Sequence, residues 1–360
     1  MESHKKNRII KRILLTILIV ILIPIFGIAG FVGYAALTEY NPAEIEDAIM
    51  LTSRAVEPIG LENFKITTYN IGYCGMDAQQ DFFMDGGVMS RSSSLEQTQI
   101  NMNKVIEFID TIDSNAYFIQ EVDESATRSH DLNQIDALIQ GLPDYSATFA
   151  YNYKANWVPV PILEPMGKAY AGLMTLTKNQ PESSVRYQLP GYESVPTRYV
   201  DLKRCVMTNT FPLENGKALI LVNIHLSAFD KGGVIRAKQI EWLNNYLFEL
   251  YNPEENYIVV GGDWNHLMSQ EIFERITGEP ESWIAVIPDS VTANGFTLVY
   301  DNEINSVRSA IKPYVEGENF ETIIDGFLVS PNVEIVSVNT HDLNFENSDH
   351  QPVTAVFNFK

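Results

Sequence analysis

Residues 257–265 read Tyr-Ile-Val-Val-Gly-Gly-Asp-Trp-Asn, an apolar run that ends in two glycines and the polar residues Asp263 and Asn265. The apolar part predicts a buried strand, because short runs of β-branched and aromatic residues bounded by turn residues are typical of sheet cores. Layered α/β proteins place functional side chains where buried strands end. The stretch therefore predicts a central strand with a site at its carboxyl end. An Asx turn behind the glycines is the alternative interpretation.

Polar residues also stand at or near the ends of other apolar stretches that we predict as strands. They are Asn70 after 64–69, Glu121 after 117–120, His225 within 222–226, Asp325 within 323–326, and the pair Asp349 and His350 ahead of 353–359.

Each of these residues alone has a structural interpretation as well. An Asn or Asp after a strand often caps a turn, and neighbouring acidic residues often form an exposed loop. Asp325 is harder to explain in this way, because an unpaired carboxylate in an apolar run is unfavourable. It is the ordered set that favours a functional site.

Helical patterns alternate with these strands. Ser93 and Glu96 have the spacing of a capping box ahead of a helical period that continues to Ile112. Two further helices are predicted at 132–139 and 235–250. Strands mixed with helices over about 300 residues indicate a layered α/β domain.

The amino-terminal residues predict a membrane anchor. Five basic residues and one acidic residue in 1–12 precede 25 residues without a charge, Ile13–Leu37. About 20 apolar residues span a bilayer as a helix, and positive charge ahead of the span places the amino terminus in the cytoplasm. A cleaved signal peptide is the alternative. We expect a basic cytoplasmic tail (1–12), a transmembrane anchor (13–37), an acidic stalk (38–62) with a short helix at 43–51, and a folded domain (63–360).

The charge distribution argues against one class of function. The net charge is −21, and since residues 1–12 sum to +4, the rest of the chain carries −25. An acidic body repels polyanions, which disfavours strong non-specific nucleic-acid binding. The two cysteines, Cys74 and Cys205, could pair outside the membrane, but we expect two separate buried thiols.

In order, the polar stretches resemble those of the endonuclease/exonuclease/phosphatase superfamily, whose members share the fold of pancreatic deoxyribonuclease. The matching stretches are Tyr69-Asn70, Gln120-Glu121, Asn223-Ile224-His225-Leu226, Gly262-Asp263-Trp264-Asn265, Ile324-Asp325 and Ser348-Asp349-His350-Gln351-Pro352. The resemblance implies an α/β four-layer sandwich, in which two mixed β-sheets lie face to face with helices outside.

The resemblance also implies a metal-binding role for three residues. Glu121, Asn70 and Asp349 would hold Mg²⁺, a hard ion that prefers oxygen ligands, with Mn²⁺ or Ca²⁺ as alternatives. Asn70 would lie either at the metal or on the phosphate. The softer assignments are Tyr170 and Arg91 as substrate contacts, with Arg91 ending a long loop (77–91) that would overhang the site.

The catalytic roles follow the same resemblance. Asp263 would orient or deprotonate the attacking water, and Asn265 would steady the phosphate. His350 would donate to phosphoryl oxygens, with Asp325 fixing its tautomer. His225 would protonate the leaving oxygen, and it places the chain with the nucleases, sphingomyelinases and inositol phosphatases of the superfamily. Arg204 stands where relatives often have Arg, and a structural ion pair is its alternative role.

These roles predict a Mg²⁺-dependent phosphoester hydrolase, foremost a phosphodiesterase, that acts outside the cytoplasmic membrane by attack of water on phosphorus. Its substrate would be a lipid headgroup, a nucleic acid or a small phosphodiester, and the sequence indicates no protein partner. An extracellular endonuclease acting on DNA or RNA is the alternative, and a non-catalytic surface binding protein is the alternative of another class. The apolar loop 157–162 would contact lipid or pack locally.

Overall fold

The computed structural model describes residues 2–228, 233–276 and 284–360. The described strands are β1 (Ile45–Asp47), β2 (Ile49–Met50), β3 (Phe64–Asn70), β4 (Ala116–Ala126), β5 (Ser146–Val158), β6 (Gly167–Thr177), β7 (Ser183–Gln188), β8 (Cys205–Pro212), β9 (Ala218–His225), β10 (Asn256–Asp263), β11 (Thr297–Val299), β12 (Val307–Arg308), β13 (Glu321–Thr322), β14 (Asp325–Val329), β15 (Val333–Thr340) and β16 (Val353–Phe359). The described helices are α1 (Glu2–Leu37), α2 (Leu95–Ile112), α3 (Gln134–Gly141), α4 (Val234–Leu250) and α5 (Gln270–Arg275).

Fourteen of these strands form two seven-stranded sheets, and β12 and β13 form a separate two-stranded sheet. The first has the order β1-β7-β8-β9-β10-β14-β11 and the second the order β15-β16-β3-β4-β6-β5-β2. Each seven-stranded sheet is mixed, because β9 runs parallel to β10 in the first and β3 parallel to β4 in the second, whereas the other neighbours are antiparallel. The two sheets and the flanking helices confirm the predicted α/β sandwich.

Side-chain alternation along the strands sorts the core into layers. Phe118 and Val259 face the space between the sheets, where they join one apolar cluster. Their neighbours Ile119 and Val260 point outward, against α2 and α3 on the second sheet and against α4 on the first. Strands covered on both faces read as continuous apolar runs, which explains the sequence of residues 257–260.

Cys74 and Cys205 are both free and buried, as expected. Cys74 lies in the core under α2, on the outer face of the second sheet, whereas Cys205 packs with Leu173 and Met207 in a different cluster. Their different layers prevent pairing.

The ends of the predicted helices shift by one or two residues. The cap of α2 is Ser94, not Ser93, because Ser94 is extended and its Oγ accepts a hydrogen bond from the Gln97 backbone N–H at 3.1 Å. The helix expected at 132–139 begins later, after Asn133 caps its first turn. Where several polar residues follow one another, the sequence alone does not define the first residue of the helix.

Helix α1 includes both the basic residues and the apolar run, and it continues through Pro24. Within the described residues it is one helix that is long and apolar enough to cross a membrane, a property that signal sequences share. The predicted amino-terminal apolar helix is therefore present.

The segment after α1 differs from the expectation. The helix expected at 43–51 is wrong, since strand β1 pairs with β7 and strand β2 pairs with β5. The segment thus adds an edge strand to each sheet, and Ala48 between them is buried. Backbone hydrogen bonds to two open sheet edges outweigh a weak local helix preference. This part of the predicted stalk is held against the domain, which extends to the amino-terminal side of residue 63.

The two glycines of residues 257–265 allow close approach at the centre of the first sheet. A Cβ on Gly262, whose φ is +148°, would lie 2.0 Å from the Ile224 carbonyl oxygen of the parallel strand β9. A Cβ on Gly261 would lie 2.5 Å from Phe327 and 2.9 Å from Phe118 in the facing sheet. Only glycine permits both the spacing and the backbone conformation.

We expect Gly262→Ala to destabilise the fold by about 3 kcal/mol or more, because the methyl group meets backbone rather than a movable side chain. Urea denaturation of the full chain in detergent, followed by tryptophan fluorescence, measures the change. Gly60→Ala is the control, since its added Cβ meets no atom within 4 Å. Equal midpoints for the two variants would contradict the prediction.

Candidate active site

The inner-facing rows of the central strands change from apolar to polar towards one end of the sandwich. On β10 the row is Tyr257, Val259, Gly261 and then Asp263. The same phase on the other strands leads to Asn70 at the end of β3, His225 at the end of β9 and Asp325 at the start of β14. In the first sheet Asp263 pairs in register with His225 on one side and Asp325 on the other. Strand phase therefore brings residues as far apart in the chain as Asn70 and Asp325 onto one edge.

One oxygen of Asp263 is the centre of this edge. Its Oδ2 accepts a hydrogen bond from Asn70 Nδ2 at 3.0 Å, and it lies 3.4 Å from His225 Nε2 and 3.6 Å from His350 Nε2. The other oxygen, Oδ1, accepts a bond from the Asn265 backbone N–H at 2.9 Å. All these side chains are buried. Burial raises the pKa of Asp263, while the His350 charge opposes that rise.

His350 is held between two carboxylates. Its Nδ1 lies 2.9 Å from Asp325 Oδ2, which also accepts a hydrogen bond from Ser306 Oγ at 2.8 Å. Burial alone disfavours the charged imidazole, but the charges of Asp325 and Asp263 outweigh it and raise the pKa of His350. The two carboxylates therefore favour the imidazolium form, and Nε2 is directed towards the site.

Glu121 reaches the same edge through a distortion of its strand. By alternation it would face outward, but β4 has a bulge between Ile119 and Val122, and Glu121 adopts a φ of +57°. Bulges re-aim side chains and are frequent beside active sites. Arg128 Nη1 donates to Glu121 at 3.1 Å, and its Nη2 donates to the buried Asp123 at 2.9 Å, which fixes the carboxylate.

Asp349 faces the cavity that Glu121 and Asn70 also line. Burial and the charge of Glu121 raise the pKa of Asp349, against the opposing effects of His350 and Arg308. Two carboxylates and an amide on one cavity are a donor set that a hard divalent cation fits, and such an ion would remove their mutual repulsion.

A second group also has the spacing of a metal site. Ligand atoms of Asp263, Asp325 and His350 all lie within 4.8 Å of one another. In this group, however, both imidazole nitrogens already face carboxylates, so a cation would have to displace a proton from His350. The oxygen set of Glu121, Asn70 and Asp349 fits a divalent cation without such a displacement.

Arg204, a residue with two sequence interpretations, has no ion pair among the described residues. Its Nη1 is buried without a hydrogen-bond partner, and the side chain lines the cavity beside Glu121 and His225. Burial lowers the pKa of Arg204, although the charges of Glu121 and Asp263 favour the cation. A buried guanidinium nitrogen without a partner is unfavourable unless an anion binds it.

The structure does not bring Tyr170 or Arg91 to this edge. Tyr170 lies on the outer face of β6, opposite in phase to Ala171, and its hydroxyl donates to Asn156 at 2.5 Å. Arg91 donates to the Pro165 carbonyl at 3.0 Å and pairs with Glu164 at 3.5 Å. Neither side chain lines the cavity that contains Asp263. Asn265 does line the cavity, with one amide hydrogen used by the Leu226 carbonyl.

Sequence reasoning missed Arg128, Asp123 and Ser306. Arg128 follows Glu121 by seven residues in a short turn that resembles an exposed loop, so its burial had no signal in the sequence. Ser306 lies in an irregular segment and contacts Asp325 only after the chain folds back.

Beneath the site a pair of amides joins the two sheets. Gln120 Nε2 on β4 donates to Asn223 Oδ1 on β9 at 2.8 Å, and Asn223 Nδ2 donates to the Met174 carbonyl at 3.0 Å. Both side chains are fully buried. Buried amides are favourable only when they are paired, so this contact sets the relative position of the sheets where Asn70 meets Asp263.

We expect Gln120→Met and Asn223→Leu each to lower the free energy of unfolding by about 1–3 kcal/mol, since each leaves a buried partner unsatisfied. The double variant should lose less than the sum, because no orphaned amide remains. Denaturant melts of the four proteins measure the coupling. The exposed pair Lys104–Glu107, 2.9 Å apart, serves as a control without measurable coupling. Additive losses in the amide cycle would refute the pairing.

Two mixed sheets lie face to face and carry a buried Asp–His–Asp group and further carboxylates at one edge, an arrangement that suits the hydrolysis of phosphoester bonds. The sequence profile of the endonuclease/exonuclease/phosphatase family matches residues 67–350, and the chain belongs to this family. The predicted membership is confirmed. Nucleases and phosphatases are among the hydrolases of this family.

Solved structures share the fold. An endonuclease/exonuclease/phosphatase from Beutenbergia cavernae is 15% identical, with a TM-score of 0.59 over 83% of this chain and 72% of that one. One from Bacteroides vulgatus is 18% identical, with a TM-score of 0.53 over 83% and 99%. ANGEL2, a 2′,3′-cyclic phosphatase, is 12% identical, with a TM-score of 0.55 over 82% and 95%. No curated protein matches the chain.

Proposed function

We propose that this protein is a Mg²⁺-dependent phosphodiesterase that acts outside the cytoplasmic membrane. The observation that carries the proposal is the position of Asp263 Oδ2, which faces nitrogens of Asn70, His225 and His350 within 3.6 Å. Asp263 shares its cavity with the carboxylates of Glu121 and Asp349. A buried carboxylate in that position suits the activation of water beside a bound phosphate.

Glu121, Asn70 and Asp349 would hold Mg²⁺, and Mn²⁺ or Ca²⁺ would suit the same oxygens. When bound, the ion would neutralise charge on the non-bridging phosphate oxygens. Arg128 keeps the Glu121 carboxylate on the cavity. The remaining positive charge at the phosphate would come from Arg204, whose buried Nη1 lacks a partner among the described residues.

Protein side chains would carry the proton transfers. Asp263 would orient the water and accept its proton, a role that its raised pKa favours at neutral pH. His350 would donate its Nε2–H to a phosphoryl oxygen, while the Asp325 carboxylate keeps Nδ1 protonated. Asn265 has a second amide hydrogen available for the phosphate.

His225 would supply the proton to the leaving oxygen. Burial first, and then the charges of Arg204 and His350, hold its pKa well below the usual value, so the imidazole is neutral in the free protein. A phosphate anion against Arg204 would offset that repulsion and favour protonation of His225 when substrate is bound. Substrate binding would thus favour the protonated form of His225 that the reaction requires.

Helix α1 would anchor the enzyme. Five basic residues stand before the apolar run, which supports a cytoplasmic amino terminus and a domain on the outer side.

An extracellular endonuclease is the second candidate. The cations Arg128 and Arg204 at the site would suit a nucleic-acid phosphate, and ANGEL2, a 2′,3′-cyclic phosphatase, shares the fold. The charge of −25 outside residues 1–12 disfavours a polyanion. A non-catalytic binding protein is the third candidate, and the intact Asp263–His350–Asp325 group argues against it.

We expect Asp263→Asn to lower turnover of a chromogenic phosphodiester by about a thousandfold, because it removes the proton acceptor. Excess chelator should abolish wild-type turnover, and added Mg²⁺ should restore it. Near-UV circular dichroism checks that the fold survives. Asp110→Asn, at an exposed position of α2, is the control. Full activity in chelator would remove the metal from the proposal, and full activity of Asp263→Asn would remove the assigned base.

We expect Glu121→Gln to weaken Mg²⁺ binding about tenfold or more, since one of two carboxylate ligands loses its charge. Calorimetric titration of the full chain in detergent measures the affinity, with Glu96→Gln on the exposed side of α2 as the control. An unchanged affinity would exclude the oxygen set and leave the Asp263, Asp325 and His350 group as the metal site.

A further inference from the structure

A cavity with mainly apolar walls lies beside the part of the site that contains Arg204. Its walls include Phe82, Phe83, Val158, Met166, Val200 and Leu202. It shares Glu121, Arg204 and His225 with the polar cavity that contains Asp263. A ligand whose phosphate binds at Arg204 would therefore place its next atoms among aliphatic and aromatic side chains.

The loops around this cavity expose large apolar side chains. Leu163 is 99% and Ile162 88% exposed, and Met84 and Val195 are 48% and 57% exposed. They stand on three separate loops that also form the cavity walls. A concentrated apolar rim marks a surface that contacts another apolar phase.

Two of the loops are fastened together at their bases. Ser90 Oγ donates to the Glu164 carbonyl at 2.7 Å, and Arg91 donates to the Pro165 carbonyl at 3.0 Å. Arg91 is thus a positioning residue for the rim, although it lies away from the phosphate. The apolar tips are held in place, as a preformed surface requires.

The third loop, which contains Val195, is attached to helix α1. Helix α1 contacts the turn Thr197–Val200, and Ala35 near its end is buried. Glu39, two residues after α1, pairs with Lys203 at 2.7 Å and with Arg198 at 3.0 Å. The same loop supplies Val200 and Leu202 to the cavity. A helix that enters the membrane at residue 37 would therefore hold the cavity close to the bilayer surface.

We propose that the substrate is a membrane phospholipid, whose hydrocarbon part enters this cavity while the apolar rim contacts the same bilayer that holds α1. The inference rests on the proposed phosphodiesterase function. The acidic body is consistent with it, because a single lipid phosphate avoids the repulsion that a polyanion meets.

The geometry also assigns the bond that breaks. His225, the proton donor, lines both cavities, so the leaving oxygen faces the apolar side. The water oxygen bonds to phosphorus and loses one proton to Asp263. The bond from phosphorus to the lipid oxygen breaks, and that oxygen takes a proton from His225. The products are a lipid alcohol and a water-soluble phosphomonoester of the headgroup, with no net redox change.

The test uses the full chain in vesicles of phosphatidylcholine and sphingomyelin with Mg²⁺. Lipid hydrolysis is followed by mass spectrometry, and a chromogenic phosphodiester is assayed in the same sample. The variant Ile162→Ser/Leu163→Ser changes only exposed side chains, so folding is preserved. It should lower lipid hydrolysis about tenfold or more and leave the chromogenic reaction unchanged. The matched control, Val336→Ser/Phe248→Ser, alters two exposed apolar residues on β15 and α4 and should change neither reaction.

A cavity variant separates the pocket from the rim. Val200→Asn/Leu202→Asn should lower hydrolysis of a short-chain phospholipid below its micelle concentration, where no bilayer exists, by a much larger factor than it lowers hydrolysis of the chromogenic diester. Hydrolysis of the chromogenic diester without any lipid hydrolysis would overturn the lipid inference and leave the proposed function standing. Hydrolysis of neither would overturn both.

Two other outcomes also contradict the inference. Phosphatidic acid as the product would mean that the bond to the headgroup oxygen breaks instead of the bond to the lipid oxygen. Cleavage of a single-stranded oligonucleotide that falls with Val200→Asn/Leu202→Asn, with no lipid hydrolysis, would make the cavity a base site.

Discussion

The structure depends on the burial of one charged contact, Asp263 Oδ2 against nitrogens contributed by both sheets. A buried carboxylate is tolerated only where donors or cations surround it closely. Asn70 and His350 come from the second sheet and the segment before its last strand, whereas His225 is a neighbour in the first sheet. The charge is therefore satisfied only when the two sheets pack face to face in one register. The buried hydrogen bond between Gln120 and Asn223 also fixes the alignment of the two sheets, at a position further from the edge.

Local backbone irregularities cluster around this contact. Glu121 has a positive φ at a bulge, Asn265 has a φ of +49°, and Gly262 allows a close approach between parallel strands. Each departs from regular sheet geometry, and each aims a polar group at the cavity or gives it space. Such irregularities persist where the surrounding core over-determines the chain, and here the apolar clusters on both faces of each sheet provide that support.

The edge of the sandwich divides into a polar half that suits phosphate and an apolar half that suits hydrocarbon. Arg204 and His225 stand at the boundary. The apolar half is built from loops rather than strands, and it is tied to the amino-terminal helix through Glu39. Substrate choice would thus be set by parts of the chain that the central sheets do not constrain, which matches the general division between scaffold and loop function.

The sequence by itself determined the layered α/β class, the central strands and the polar residues that end them, because strand periodicity and chain order are local properties. It also indicated Asp263, His350, Asp325, Asn70 and Glu121 as one group. Only the tertiary structure decided that Asp263 is the partner of His225, that Tyr170 faces outward, that Arg91 joins two loops and that residues 45–50 complete both sheets. These outcomes depend on strand phase, on a bulge and on contacts between segments distant in the chain. Local patterns carry no information about such contacts, since the free energy that selects them arises only when the two sheets meet.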